Sequence, residues 1–74
     1  LYYHSDRLMN IILNNTEEQI QDGVTIEQLL CNKKIVNKYI AVEINRNILP
    51  KSDYQKYVIK DGDRIEIITA IGGG

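Results

Sequence analysis

Three glycines, Gly72, Gly73 and Gly74, close the 74-residue chain behind the apolar stretch ITAI. Glycine has no side chain to bury and loses the most conformational freedom on ordering, so these residues stabilise nothing. An arm without Cβ atoms can instead thread a narrow passage, which makes the carboxylate of Gly74 the group expected to do chemistry. The remaining reactive side chains form no comparable set. Cys31 is the single cysteine, which excludes an internal disulfide, a four-cysteine zinc site and a self-contained iron–sulfur cluster. Late in a helical segment, it reads as a small, half-buried hydrophobe rather than a redox or acyl-transfer group. His4, the single histidine, lacks the context of a nucleophilic set. Asp61 and Asp63 flank Gly62 and read as hairpin residues, not as a metal site or an acid–base pair. Lys33, Lys34 and Lys38 gather where a helix should end, and cations are favoured there anyway. With no converging acid, base and nucleophile, no metal site and no bound cofactor expected, the chain reads as a substrate of other enzymes rather than an enzyme.

Composition narrows the partners. The formal charge is −1, with both signs mixed along the chain, which argues against nucleic acid as a partner. No apolar run approaches the roughly 18 residues of a membrane span, and no charged-then-apolar start marks a secretory signal. With a lone cysteine, these features point to a reducing, cytoplasmic setting. The octet LYYHSDRL before Met9 reads as a leader or tag (residues 1–8), with a single domain over 9–71 and a flexible tail over 72–74. One core is all this length allows, and with neither Phe nor Trp present it must be aliphatic.

The elements that would position the tail follow from periodicity. Asn10–Leu13 is a short aliphatic strand, Asn14-Asn15 suits a two-residue hairpin turn, and TEEQIQ (16–21) returns as a polar edge strand. Thr25 with Gln28 three residues on has the spacing of a capping box, and Ile26, Leu29 and Leu30 share one helical face. In YIAVEI (39–44), Ile40, Val42 and Ile44 point one way and Tyr39, Ala41 and Glu43 the other. Asn45-Arg46-Asn47 turns the chain, Ile48-Leu49 pairs briefly before Pro50, and KSDYQKY (51–57) crosses as an irregular or single-turn helical segment with Tyr54 as its filler. Asp61-Gly62 then turns into the last strand. There Ile65, Ile67, Thr69 and Ile71 share the core face, while Arg64, Glu66, Ile68 and Ala70 share the opposite one.

One helix on one face of a mixed four- to five-stranded sheet satisfies every apolar stripe: an α+β, β-grasp (ubiquitin-like) arrangement. If the helix covers one side, Tyr39, Ala41, Ile68 and Ala70 form an exposed apolar patch near the tail, a recognised sign of a partner site. Arg64 and Glu66 beside it would steer a partner by charge or form a solvated pair.

The segments EINRNILPKSDY (43–54), IKDGDRIEI (59–67) and AIGGG (70–74) resemble the ThiS family, the sulfur carriers of thiamine biosynthesis. The shared pattern is a strand, an Asn-containing turn, a Pro step, an aromatic in the crossing, a DGD hairpin and a Gly-Gly end. From Met9 the first half matches by pattern more than by identity. The resemblance implies that Gly74 is adenylated by a ubiquitin-activating-like adenylyltransferase (ThiF type) using ATP and converted to a thiocarboxylate. Its sulfur, drawn from a donor such as a cysteine desulfurase, would pass to thiazole synthase (ThiG type). Gly73 and Gly72 would supply the threading arm. The molybdopterin synthase small subunit and a ubiquitin-like protein modifier share the fold and the activated Gly-Gly end, and both stay open as alternatives. A non-catalytic β-grasp binding module is a more distant one.

Overall fold

Asn14 and Asn15 both take positive φ, 49° and 68°, a left-handed pair that asparagine tolerates and that matches the twist of a tight hairpin. They join β1 (Leu8–Leu13) to β2 (Thr16–Gln21) in antiparallel register, Leu13 opposite Thr16 and Leu8 opposite Gln21. The computed structural model describes residues 7–36 and 39–69. His4, Lys38, Ala70, Ile71 and the three tail glycines lie outside the described residues. β1 begins two residues before the expected Asn10, because Leu8 still pairs with Gln21 and the Asp22 amide donates to the Arg7 carbonyl.

The helix α1 (Ile26–Asn32) starts where its box spacing places it. The Gln28 amide donates to Thr25 Oγ1 at 3.2 Å, and the Thr25 amide donates to Gln28 Oε1 at 3.0 Å. Two more N-terminal amides that a helix leaves unpaired, those of Ile26 and Glu27, donate to the Tyr57 and Tyr54 carbonyls. At two turns α1 is too short to stand alone, and it lays Ile26, Leu29 and Leu30 on the sheet. Cys31 is exposed, a correction to its expected half-burial. It follows Leu30 on the helix, one residue beyond the apolar face, so its thiol meets solvent. Lys33, the helix C-cap, pairs with Glu18 of β2.

β3 (Ile40–Ile44) and β4 (Asn47–Leu49) form a second hairpin, with Asn45 and Arg46 alone as its turn at φ 51° and 73°. Asn47 already pairs with Ile44, so the turn is one residue shorter than the sequence suggested. Pro50 ends β4, and a single 3-10 turn, Lys51–Asp53, opens the crossing. Tyr54 and Tyr57 are partly buried against the core from this segment.

The last strand, β5 (Arg64–Thr69), enters the middle of a five-stranded sheet of order β2-β1-β5-β3-β4, parallel to β1 and antiparallel to β3. The DGD segment is therefore not a hairpin, which corrects the sequence reading. Val58 makes only an isolated bridge to Thr25, and Ile59 donates to the Val24 carbonyl beneath the helix entry. With that segment bound to the helix side, β5 takes its partners from distant strands. The core is aliphatic: Met9, Ile11 and Leu13, the three helix residues, Val42, Ile44, Ile59 and Ile65. The mixed sheet with one helix on one face is the β-grasp arrangement.

Candidate functional site

β5 carries the chain toward the glycine tail, so its anchorage sets where the tail begins. At its start it is held from both sides. Arg64 and Ile65 lie opposite Ile12 and Leu13 of β1, while Ile65 through Thr69 lie opposite Ile44 through Ile40 of β3. Where β3 turns away, Asn45 extends the ladder with its side chain. Its own amide donates to the Arg64 carbonyl at 2.7 Å, and the Arg64 amide donates to Asn45 Oδ1 at 2.9 Å.

Beneath that junction is the one buried polar residue of the described chain, Asp63, 5% exposed. Its Oδ2 accepts from the Tyr57 hydroxyl at 2.8 Å and from the Lys60 amide at 2.9 Å, and its Oδ1 accepts from Asn45 Nδ2 at 3.0 Å. Asp61 acts elsewhere. Its Oδ1 accepts the Asn10 amide at 2.8 Å and ties the turn to β1. Gly62, at φ 86°, makes that turn in a conformation L side chains avoid. The two aspartates are thus fastenings of β5 rather than the hairpin residues that the sequence suggested. Sequence reasoning missed Tyr57 and the burial of Asp63. The signal that could have found them was a DGD turn whose second carboxylate immediately precedes a central strand.

Tyr57 reports on this network. Burial above all, then its hydrogen bond to Asp63 and the charge of that carboxylate, push its hydroxyl up to about 12 from the ordinary 10.0. The raised value means that folding favours the neutral phenol, so this stabilisation is complete below about pH 10 and is lost as pH rises through about 12. Burial also raises Tyr54, against a lowering hydrogen bond from the Val42 backbone, and it adds to the same slope. Stability is expected to fall steeply between about pH 10 and 12, with a shallower fall in Tyr57→Phe. Urea titrations at stepped pH measure this directly.

Of the patch expected on the face of the sheet away from α1, Tyr39, Ala41 and Ile68 lie among the described residues, and Ala41 is partly buried. Ala41 lies directly opposite Ile68 in the β3–β5 register. Ile68 is 50% exposed and Tyr39 61% exposed. Ile48, 70% exposed on β4, was not anticipated, and it lies opposite Glu43 on the same face. Ala70 falls outside the described residues. Arg64 and Glu66 do not form a pair with each other. The Arg64 guanidinium donates to Asn15 Oδ1 at 3.1 Å, and Glu66 lies opposite Glu43, a like-charge juxtaposition on the open face. On the opposite side, Leu30, Cys31, Ile35, Val36, Ile40 and Tyr54 line a shallow groove of about 270 Å³. Among the described residues no group of three His, Cys, Asp or Glu side chains is placed to hold a metal, and no helix is long and apolar enough to cross a membrane.

The profile of the ThiS family matches residues 6–74, a span that includes the glycine tail. The chain belongs to the ThiS family. Its relatives include both free-standing carriers and thiazole synthases. It is 39% identical over 54 residues to the sulfur carrier protein ThiS of Bacillus subtilis, covering 73% of this chain and 82% of that one. It is also 38% identical over 66 residues to a thiazole synthase of Paramagnetospirillum magneticum, covering 89% of this chain but 20% of that protein. The chain thus spans about a fifth of the thiazole synthase that it matches. The crystal structure of the thiamine biosynthesis protein ThiS from Geobacter metallireducens superposes with a TM-score of 0.78 at 28% identity, over 89% of this chain and 100% of that one. This confirms the family's β-grasp fold for the five strands and helix described above.

Proposed function

We propose that this domain is a sulfur carrier of thiamine biosynthesis whose working group is the carboxylate of Gly74. The observation that carries the reading is the family match, which runs through the three glycines to residue 74. A carboxylate is a poor electrophile until it bears a good leaving group. Its oxygen attacks the α-phosphorus of ATP in an adenylyltransferase of the ubiquitin-activating type, and pyrophosphate leaves. Sulfur from a donor such as a cysteine desulfurase, taken from persulfide to the sulfide level by a thiol that is oxidised to a disulfide, then attacks the acyl carbon. The bond to AMP breaks as the carbon–sulfur bond forms, which leaves a thiocarboxylate for thiazole synthase to consume. Gly72 and Gly73 let the arm enter each active site without a Cβ to obstruct it. The domain itself is a co-substrate and supplies the docking face of Tyr39, Ala41, Ile68 and Ala70, with Arg64 and Glu66 at its margin. The cytoplasm, where ATP and reduced sulfur are at hand, suits this chemistry.

The thiazole synthase relatives favour the thiamine reading over a molybdopterin synthase subunit or a protein modifier. The deciding experiment is an intact mass after incubation with ATP, the cognate activating enzyme and sulfide. A gain equal to sulfur replacing one oxygen, absent when Gly74 is deleted, is the expected result. An unchanged mass, with the activating enzyme competent on another carrier, removes the reading. Transfer of the sulfur in a thiazole synthase assay then separates the thiamine route from its rivals.

A further inference from the structure

The two outer edges of the sheet are protected, but an inner one is not. β2, at one end, is the polar run TEEQIQ, and β4, at the other, is three residues long and stopped by Pro50. Short, polar or proline-blocked edges are the usual guards against unwanted strand pairing. β5 has partners on both sides only at its start, because β1 reaches no further than Leu13 opposite Ile65.

Main-chain groups alternate in direction along a strand. The Asn45 amide donates to the Arg64 carbonyl, so the groups of Arg64, Glu66 and Ile68 face β3. The Asn14 amide donates to the Ile65 carbonyl at 2.9 Å, so those of Ile65, Ile67 and Thr69 face the β1 side. On that side the Ile67 amide is taken by Asn14 Oδ1 at 2.8 Å. Beyond it, the Ile67 carbonyl and the Thr69 amide pair with nothing among the described residues. The stretch Ile67-Ile68-Thr69 consists of β-branched residues, with no charge, proline or bulge to blunt it. It also leads directly to the tail.

We propose that this free flank of β5 receives an extended, apolar strand of thiazole synthase; the inference rests on the sulfur-carrier reading above. Strand addition takes its affinity from main-chain hydrogen bonds and its selectivity from alternating side chains. Here the added strand borders Ile68, and it fixes the direction in which the glycine arm leaves. Two main-chain groups hold a freely diffusing partner weakly. They suffice where carrier and synthase share a polypeptide, because tethering raises the effective concentration. That arrangement fits the synthase relative of which this domain matches 20%, and it selects the synthase over the activating enzyme as the occupant.

The test uses the full chain and a separately purified thiazole synthase, supplied at concentrations high enough to saturate the weaker untethered complex. Backbone amide exchange should show Thr69 fast in the free chain and at least about tenfold slower in the complex. Thr69→Pro removes an amide that faces away from β3 and fixes φ at a strand end, and it should weaken synthase binding by about tenfold, the loss expected for one hydrogen bond. Thr69→Val keeps the amide and the strand preference, and should restore binding. The exchange measurement needs no variant and stands even if the proline chain folds poorly. An unchanged Thr69 exchange rate in the complex overturns the proposal. So does Thr69→Pro binding with wild-type affinity, or losing adenylation while synthase binding persists, which assigns the flank to the activating enzyme. A wild-type dimer that Thr69→Pro dissociates, with synthase binding unchanged, assigns it to a second copy and likewise overturns it. Wild-type chain that gains no thiocarboxylate mass fails the carrier reading separately, since strand addition is read by exchange alone.

Discussion

Asp63→Ala should cost about 4 kcal/mol and bring the domain close to unfolding at room temperature. The carboxylate is the shared acceptor of the Tyr57 hydroxyl, the Lys60 amide and Asn45 Nδ2, and it is 5% exposed. A hydrogen bond to a charged group contributes roughly 1.5–3 kcal/mol, and each buried donor left without a partner adds a penalty of about 1–3 kcal/mol. Water entering the space left by alanine recovers part of this, which sets the loss well below the sum of those contributions. Against it stands a total stability of about 4–11 kcal/mol, from roughly 0.05–0.15 kcal/mol per residue. Asp63→Asn should lose less, because it keeps one oxygen while turning an NH₂ toward donors. Tyr57→Phe should lose least, about 1 kcal/mol, since the aspartate retains its two other donors. Urea midpoints for the three variants check the order. Equal losses in Tyr57→Phe and Asp63→Ala would mean that the tyrosine alone carries the network.

That network marks where sequence reasoning stopped. Elements set by local chemistry were legible: the Asn14-Asn15 turn, the capping box of Thr25 and Gln28, and the alternation of Ile40, Val42 and Ile44 all reappear in the structure. Each depends on residues a few positions apart. The position of β5 was not legible in the same way. A turn beside alternating isoleucines reads as a hairpin, yet the segment before it is held by Thr25 and Val24 beneath the helix. Pairing between Ile12 and Arg64 spans most of the chain, and no local signal encodes it. Cys31 was misplaced for a related reason. A seven-residue helix buries a narrow stripe, and the residue just past Leu30 falls outside it. The patch on the open face was legible as a period-two pattern in β3 and β5, but Ile48 joined it only through the register of β4.

Ile65→Ala should cost about 4 kcal/mol, comparable to the loss of Asp63 but by a different route. Ile65 is fully buried and lies between Leu13 on β1 and Ile44 on β3, both buried themselves. Trimming the side chain to a methyl forfeits its transfer energy and leaves a cavity that flanking strands close only in part, for which about 2–5 kcal/mol is the usual range. Val58→Ala, at a residue 46% exposed, should cost less than about 1 kcal/mol. Thermal or urea unfolding separates the two. The comparison also bears on function, because Ile65 fastens the strand that leads to the tail. Below the unfolding midpoint, the fraction of Ile65→Ala that gains thiocarboxylate mass should track the fraction folded. Deletion of Gly74 should abolish the gain in a domain of unchanged stability. Stability and reactivity would then reside in different parts of one strand and its extension: β5 is fastened where Asp63, Asn45 and Ile65 hold it, and its β1 side is open beyond Ile67, where the described chain provides no second partner.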